Sequence, residues 1–166
     1  MANEFLFDPT TPASVVFDNL IKFTLFKDGD SVNTDNILVH QPEEYQATEK
    51  DNQDFPLGLN TQVLLTNKTG NEELKRPVKM IYRRIPVSEI INKKTIDKKV
   101  TLAKEEEFTE SNIKTKVAEV LGLSNYLDLL EVAVDGGTAT VTLNGEIGGM
   151  SYVFIGRDSI TVEKSK

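Results

Sequence analysis

The sequence predicts an α+β domain, an antiparallel β-sheet of six to eight strands with two helices packed on it. Three observations lead there. Two stretches repeat apolar residues at helical spacing behind recognisable caps. Most other apolar residues fall in short runs separated by hairpin-length turns. A βαβ alternation with a glycine-rich first turn is missing, which argues against a parallel nucleotide-binding sheet.

Taken in order, residues 1–10 read as an N-terminal arm, with Phe5, Leu6 and Phe7 in a short apolar tract closed by Asp8-Pro9. Residues 11–166 read as a single α+β domain. Thr10-Thr11-Pro12 supplies a hydroxyl cap and a proline for the first helical turn, and Val16, Leu20 and Phe23 recur at helical spacing. This predicts a helix over 12–26, stopped by the turn cluster Lys27-Asp28-Gly29-Asp30. A short strand at 36–39 precedes a polar loop over 41–58. Residues 60–67 and 77–85 form the next two strands, joined through Asn67-Lys68-Thr69-Gly70-Asn71 into an antiparallel hairpin. In the second of these, Val78, Met80 and Tyr82 alternate with Lys79, Ile81 and Arg83.

A strand at 98–103 leads into Glu105-Glu106-Glu107. Thr109 then caps a second helix with the apolar stripe Ile113, Val117, Val120 and Leu121, and Gly122 stands at its C-terminal stop. The remainder is β: a hairpin of 129–134 with 138–143 around Asp135-Gly136-Gly137, a strand at 151–155 and a last one at 159–163.

Composition limits the chemistry. Apolar residues at 39% and charged residues at 27% place the chain among globular proteins. No apolar run reaches the roughly 18–20 residues of a membrane span, and the first residues lack a basic-then-apolar leader pattern, so neither a membrane nor secretion is expected. With no cysteine and a single histidine, His40, disulfides, thiolate chemistry and multi-histidine metal centres drop out. No metal and no cofactor are expected.

The net charge of −7 argues against nucleic acid as a partner. Its distribution is uneven. Between Asp28 and Asp54 stand eight acids and one lysine, whereas between Glu72 and Lys104 ten Lys or Arg face four acids. Such two-sidedness reads either as solvated surface or as head-to-tail complementarity between identical subunits.

No residue constellation reads as catalytic. Gly145-Glu146-Ile147-Gly148-Gly149 lacks the lysine and hydroxyl of a phosphate loop and reads as a turn. The Glu105 to Glu107 run cannot converge on one cation, because consecutive side chains diverge. His40 has no partner at a telling spacing and reads as a half-exposed strand-end histidine. Arg83 and Arg84 must point to opposite faces of their strand. Either a structural ion pair or a subunit contact accounts for them better than substrate binding.

Four segments then carry a resemblance: Asn60-Thr61-Gln62-Val63, Tyr82-Arg83-Arg84-Ile85, the helix at 109–121, and Ser151-Tyr152 with Gly156. In these the chain resembles a family of virion structural domains from large (jumbo) tailed bacteriophages. That family shares an Asn-Thr-x-Val strand, a Tyr-x-Arg-hydrophobic strand end, a short helix and a Gly/Ser-Tyr-x-Gly closing hairpin. It departs from the family at Arg83, where asparagine is common, and in the acidity of 41–58.

The resemblance implies a non-enzymatic virion subunit, made in the host bacterial cytoplasm and acting through protein–protein contacts. It would decorate the capsid or form part of the tail, as a homo-oligomer or array against major capsid or tail subunits. The expected interface residues are Phe5, Leu6 and Phe7 of the arm, Glu43, Glu44 and Asp51 of the acidic loop, and Arg83 and Arg84. An arm that adds a strand to a neighbour's sheet edge is one physical route to such assembly. A different reading makes the 41–58 loop an acidic module for a basic protein partner.

Overall fold

The computed structural model describes residues 34–166, so the arm and the helix expected over 12–26 lie outside the described residues. The α+β class holds. The described residues fall into two compact units, 34–84 and 85–166.

The first unit is built around β3 (Thr61–Asn67). On one edge β3 pairs antiparallel with β1 (Ile37–Val39) and β2 (Glu43–Glu44), and on the other with β4 (Val78–Tyr82). The two edges are distinct because Thr61 pairs with both Glu44 and Tyr82, and Leu65 with both Val39 and Val78. Strand alternation sets the two faces. Thr61, Val63 and Leu65 are buried beside Ile37, Met80 and Tyr82, while Gln62, Leu64 and Thr66 point the other way. The β3–β4 hairpin thus matches its sequence pattern. Its loop is pinned by Asn67, whose amide donates to the Leu74 carbonyl and accepts from the Leu74 N–H, both at 2.8 Å.

Between β2 and β3 lies a helix that the sequence reading treated as loop, α1 (Glu49–Asp54). A second unexpected helix, α2 (Val87–Lys94), opens the 85–166 unit after β5 (Ile85–Pro86). It buries Val87 and Ile91, four residues apart, and carries a Glu89–Lys93 pair at 2.7 Å on its exposed side. Then follow β6 (Lys99–Leu102), α3 (Glu110–Leu121), β7 (Leu130–Asp135), β8 (Thr138–Asn144), β9 (Phe154–Ile155) and β10 (Arg157–Lys164).

α3 begins and ends where its caps dictate. The Thr109 hydroxyl accepts from the Asn112 N–H, and Gly122 closes it in the left-handed region at φ 71°. Its stripe of Ile113, Val117 and Leu121 is fully buried, whereas Val120 of the same expected stripe is 37% exposed. α3 packs on β6, β7 and β8, and α2 packs on β10 and α3.

The expected single antiparallel sheet of six to eight strands is replaced by several smaller ones. In the second unit four strands run in the order β6-β10-β8-β7, and β5 and β9 make a separate two-stranded parallel pair. β10 pairs antiparallel with β8 but parallel with β6. Hairpin logic fixes only strands that follow one another closely. α3 separates β6 from the strands after it, so β6 can lie beside the last strand in either direction.

Two local devices shape this unit. Asp97 and Lys98 both hold φ of 52°, a mirror-image turn, and Lys98 Nζ binds both carboxylate oxygens of Asp158 at 2.9 and 2.7 Å. That hydrogen bond holds the Asp158 carboxyl below its ordinary pKa. Gly145 belongs to the glycine-rich stretch read as a turn. A Cβ there would lie 2.9 Å from the Ile155 backbone nitrogen, so glycine is required for close approach of two backbones.

Candidate functional site

The structure sorts the expected interface residues into those that face solvent and those spent within the fold. Phe5, Leu6 and Phe7 lie outside the described residues. Glu43 and Glu44 are both exposed on β2. Glu43 accepts from the Gln62 side chain at 3.2 Å, and Glu44 from the Gln46 side chain at 2.8 Å. They are presented on the edge of the sheet.

Asp51 has an inward task. Its Oδ2 accepts from the Thr48 N–H at 2.8 Å, from the Thr48 hydroxyl at 2.7 Å and from the Tyr45 hydroxyl at 2.8 Å. The Thr48 Oγ1 in turn accepts from the Asp51 N–H, completing a capping box for α1. The signal was present in Thr48-Glu49-Lys50-Asp51, with aspartate in place of the usual glutamate.

These bonds have a pH consequence. Those from Thr48 and Tyr45 hold the Asp51 carboxyl below its ordinary value, and the bond to Asp51 holds the Tyr45 phenol above its own. A depressed carboxyl contributes above its unfolded pKa of about 4 and loses that contribution as pH falls through the lower folded value. A raised phenol contributes fully below about 10 and loses its contribution as pH rises through the folded value. Residues 48–54 are therefore expected to fray reversibly on acidification from neutral pH through the lowered Asp51 pKa, read by amide chemical shifts. Asp51→Asn should fray across the whole range and lose the pH dependence. Unchanged 48–54 signals in the wild type across that range contradict the assignment.

Arg83 and Arg84 lie just beyond β4 and differ in burial, and the buried one is Arg84, 6% exposed. Its Nε donates to the Thr61 hydroxyl at 2.8 Å. Asn60 clamps the same residue's backbone, accepting from its N–H at 2.7 Å and donating to its carbonyl at 2.9 Å. Arg83 is half-buried, with Nε donating to the Leu57 carbonyl at 2.8 Å. Alternation held the answer: Arg84 continues the row of Val78, Met80 and Tyr82. His40 sits just beyond β1 with a ring nitrogen 2.9 Å from the Thr66 hydroxyl.

What the sequence reading missed is the outward face of the first sheet. Leu38, Leu64 and Ile81 are 45%, 36% and 40% exposed there. Leu38 lies opposite Thr66 and Ile81 opposite Gln62, the residues two after and two before Leu64 on the same face. The three therefore run diagonally across three strands at neighbour spacing. Glu43 extends the Gln62–Ile81 row on the other side of β3, putting an acid beside the stripe. Solvated faces of antiparallel sheets ordinarily carry polar residues, so three exposed apolar side chains at neighbour spacing are a departure from that pattern.

Among the described residues no group of three or more His, Asp or Glu is placed to hold a metal ion, and no helix is long and apolar enough to cross a membrane. Comparison of the chain with protein-family models, with curated proteins and with solved structures found no match.

Proposed function

We propose that this chain is a non-enzymatic structural subunit of a tailed-phage virion, a capsid decoration, accessory or tail component working through protein–protein contacts. The observation that carries the contact role is the Leu38–Leu64–Ile81 row with the acidic β2 at its margin. Burial of such a row against a larger particle protein supplies affinity, and the acids beside it orient the approach. The virion assignment draws on the resemblance at Asn60 to Val63, Tyr82 to Ile85 and Ser151-Tyr152. Arg84 and Asp51 act in this reading as internal supports that hold β3, β4 and α1 in shape.

Particle incorporation tests it. Leu64→Lys with Ile81→Lys substitutes exposed positions, so the fold is retained, and incorporation is expected to fall at least about tenfold. Glu43→Gln with Glu44→Gln should weaken incorporation less and flatten its salt dependence. Wild-type incorporation of the folded Leu64/Ile81 variant overturns the reading. A larger loss from the Glu43/Glu44 variant favours the second reading, an acidic module for a basic partner, which rests on the exposure of both glutamates on β2.

A further inference from the structure

The four-stranded sheet of the 85–166 unit ends in two unlike edges. β6 is four residues long and presents Lys99, the kind of charged, short edge that resists pairing. β7 is different. Among the described residues it pairs with β8 alone, and its centre, Val132-Ala133-Val134, carries no charge, no proline and no bulge. Leu130 is 2% exposed on the row that faces the core, yet Val134 on the same row is 47% exposed. Among the described residues the edge thus offers backbone donors and acceptors that no neighbouring strand takes up, beside a partly uncovered apolar row.

We propose that β7 pairs antiparallel with β7 of a second copy, about a two-fold axis at Val132, to give a continuous eight-stranded sheet. Self-pairing about a two-fold normal to the sheet must keep core-facing residues opposite core-facing residues, which leaves two compact registers. Centred on Ala133, Glu131 would lie opposite the second copy's Asp135, a like-charge pair that disfavours pairing. Centred on Val132, Leu130 lies opposite the second copy's Val134, Val132 opposite itself, and Glu131 opposite Ala133. The apolar row becomes continuous and the acids are separated.

Glu131 is also compensated on its own sheet. Arg157 Nη2 binds its Oε2 at 3.0 Å, and the Asn144 amide donates to its Oε1 at 3.3 Å. Both partners lie on the β8–β10 side, so the carboxylate is drawn across its own sheet and away from the free edge. A second copy is favoured over a foreign strand because this register matches its own residues without an uncompensated charge. An edge pairing of five residues per strand is small, so the dimer is weak and concentration-dependent. The inference stands on strand geometry and does not depend on the virion reading.

Sedimentation equilibrium of the purified full chain, from micromolar to millimolar at physiological ionic strength, tests it. Ala133 is exposed, so substitution there leaves the fold intact. Ala133→Lys places an ammonium opposite Glu131 twice per dimer and should tighten association about fivefold, while Ala133→Asp should weaken it by a similar factor. Amide exchange in β7 of the wild type should slow as concentration rises, a readout that needs no variant. A monomer throughout the range, or a dimer indifferent to both substitutions, overturns the proposal. Weakening by both overturns it as well, since that pattern belongs to the register centred on Ala133. A monomeric result leaves the particle reading standing.

Discussion

Phe154→Ala is expected to destabilise the 85–166 unit by about 3–5 kcal/mol, the range for truncating a fully buried aromatic. Phe154 is completely buried, with its ring edge-on to the equally buried Tyr126 at 5.2 Å and 81°. Truncation removes the transferred apolar area, the cavity's contacts and an edge-to-face pair worth about 0.5–1.5 kcal/mol. Position adds to this. Phe154 begins β9, opposite Ile85 of β5, and the Ile85 N–H donates to the neighbouring Val153 carbonyl at 2.8 Å. Phe154→Leu keeps most of the volume and should lose much less. Denaturant unfolding measures both, and a loss below about 1 kcal/mol for the alanine variant would mean that this pair does not anchor the core.

Arg84→Ala should destabilise the 34–84 unit by about 2–4 kcal/mol, combining a lost charge-assisted hydrogen bond with a cavity in a buried site, while the Thr61 hydroxyl keeps its bond to Asn60 Oδ1 at 2.8 Å. Thr61 is 0% exposed, so water cannot readily replace the guanidinium. Arg84→Lys should recover little, because an ammonium lacks the planar fork that reaches the hydroxyl. Arg83→Ala, at the half-buried neighbour, should cost about 1 kcal/mol or less. The contrast between adjacent arginines is the diagnostic quantity. Equal losses at Arg83 and Arg84 would contradict the burial assignment.

Much of the fold was legible because local chemistry and tertiary packing agree. Thr109 and Gly122 bracket α3, and Gly136-Gly137 connects β7 to β8 with Gly136 at φ 60°. The alternation of 78–82 gives β4 and its buried row. Where local signals were weak, the reading missed. α1 is six residues long and buries none of them, so its apolar period is absent and only the Thr48–Asp51 box announces it. α2 starts behind Pro86 without a side-chain cap and shows only Val87 and Ile91 as its buried pair. The parallel β6–β10 pairing joins segments about 60 residues apart, beyond the reach of any turn rule.

Which of the expected interface residues face solvent was legible only in part, for a related reason. Sequence shows that Glu43, Glu44, Asp51, Arg83 and Arg84 are charged, but not which charges the fold consumes. Asp51 goes to a helix cap and Arg84 to a buried hydroxyl, leaving the two glutamates on the surface. The row of Leu38, Leu64 and Ile81 could not be read in advance. Each belongs to a different strand, and the row exists only once register is set.

The measurement that bears most directly on the assembly reading is the copy number of this chain in purified particles, by quantitative mass spectrometry against the major capsid and tail proteins. A structural subunit is expected at a constant number per particle, retained through density-gradient and high-salt purification. Large numbers would locate it on shell or tail, and small ones at neck or baseplate. A chain abundant in infected cells yet absent from purified particles would contradict the account.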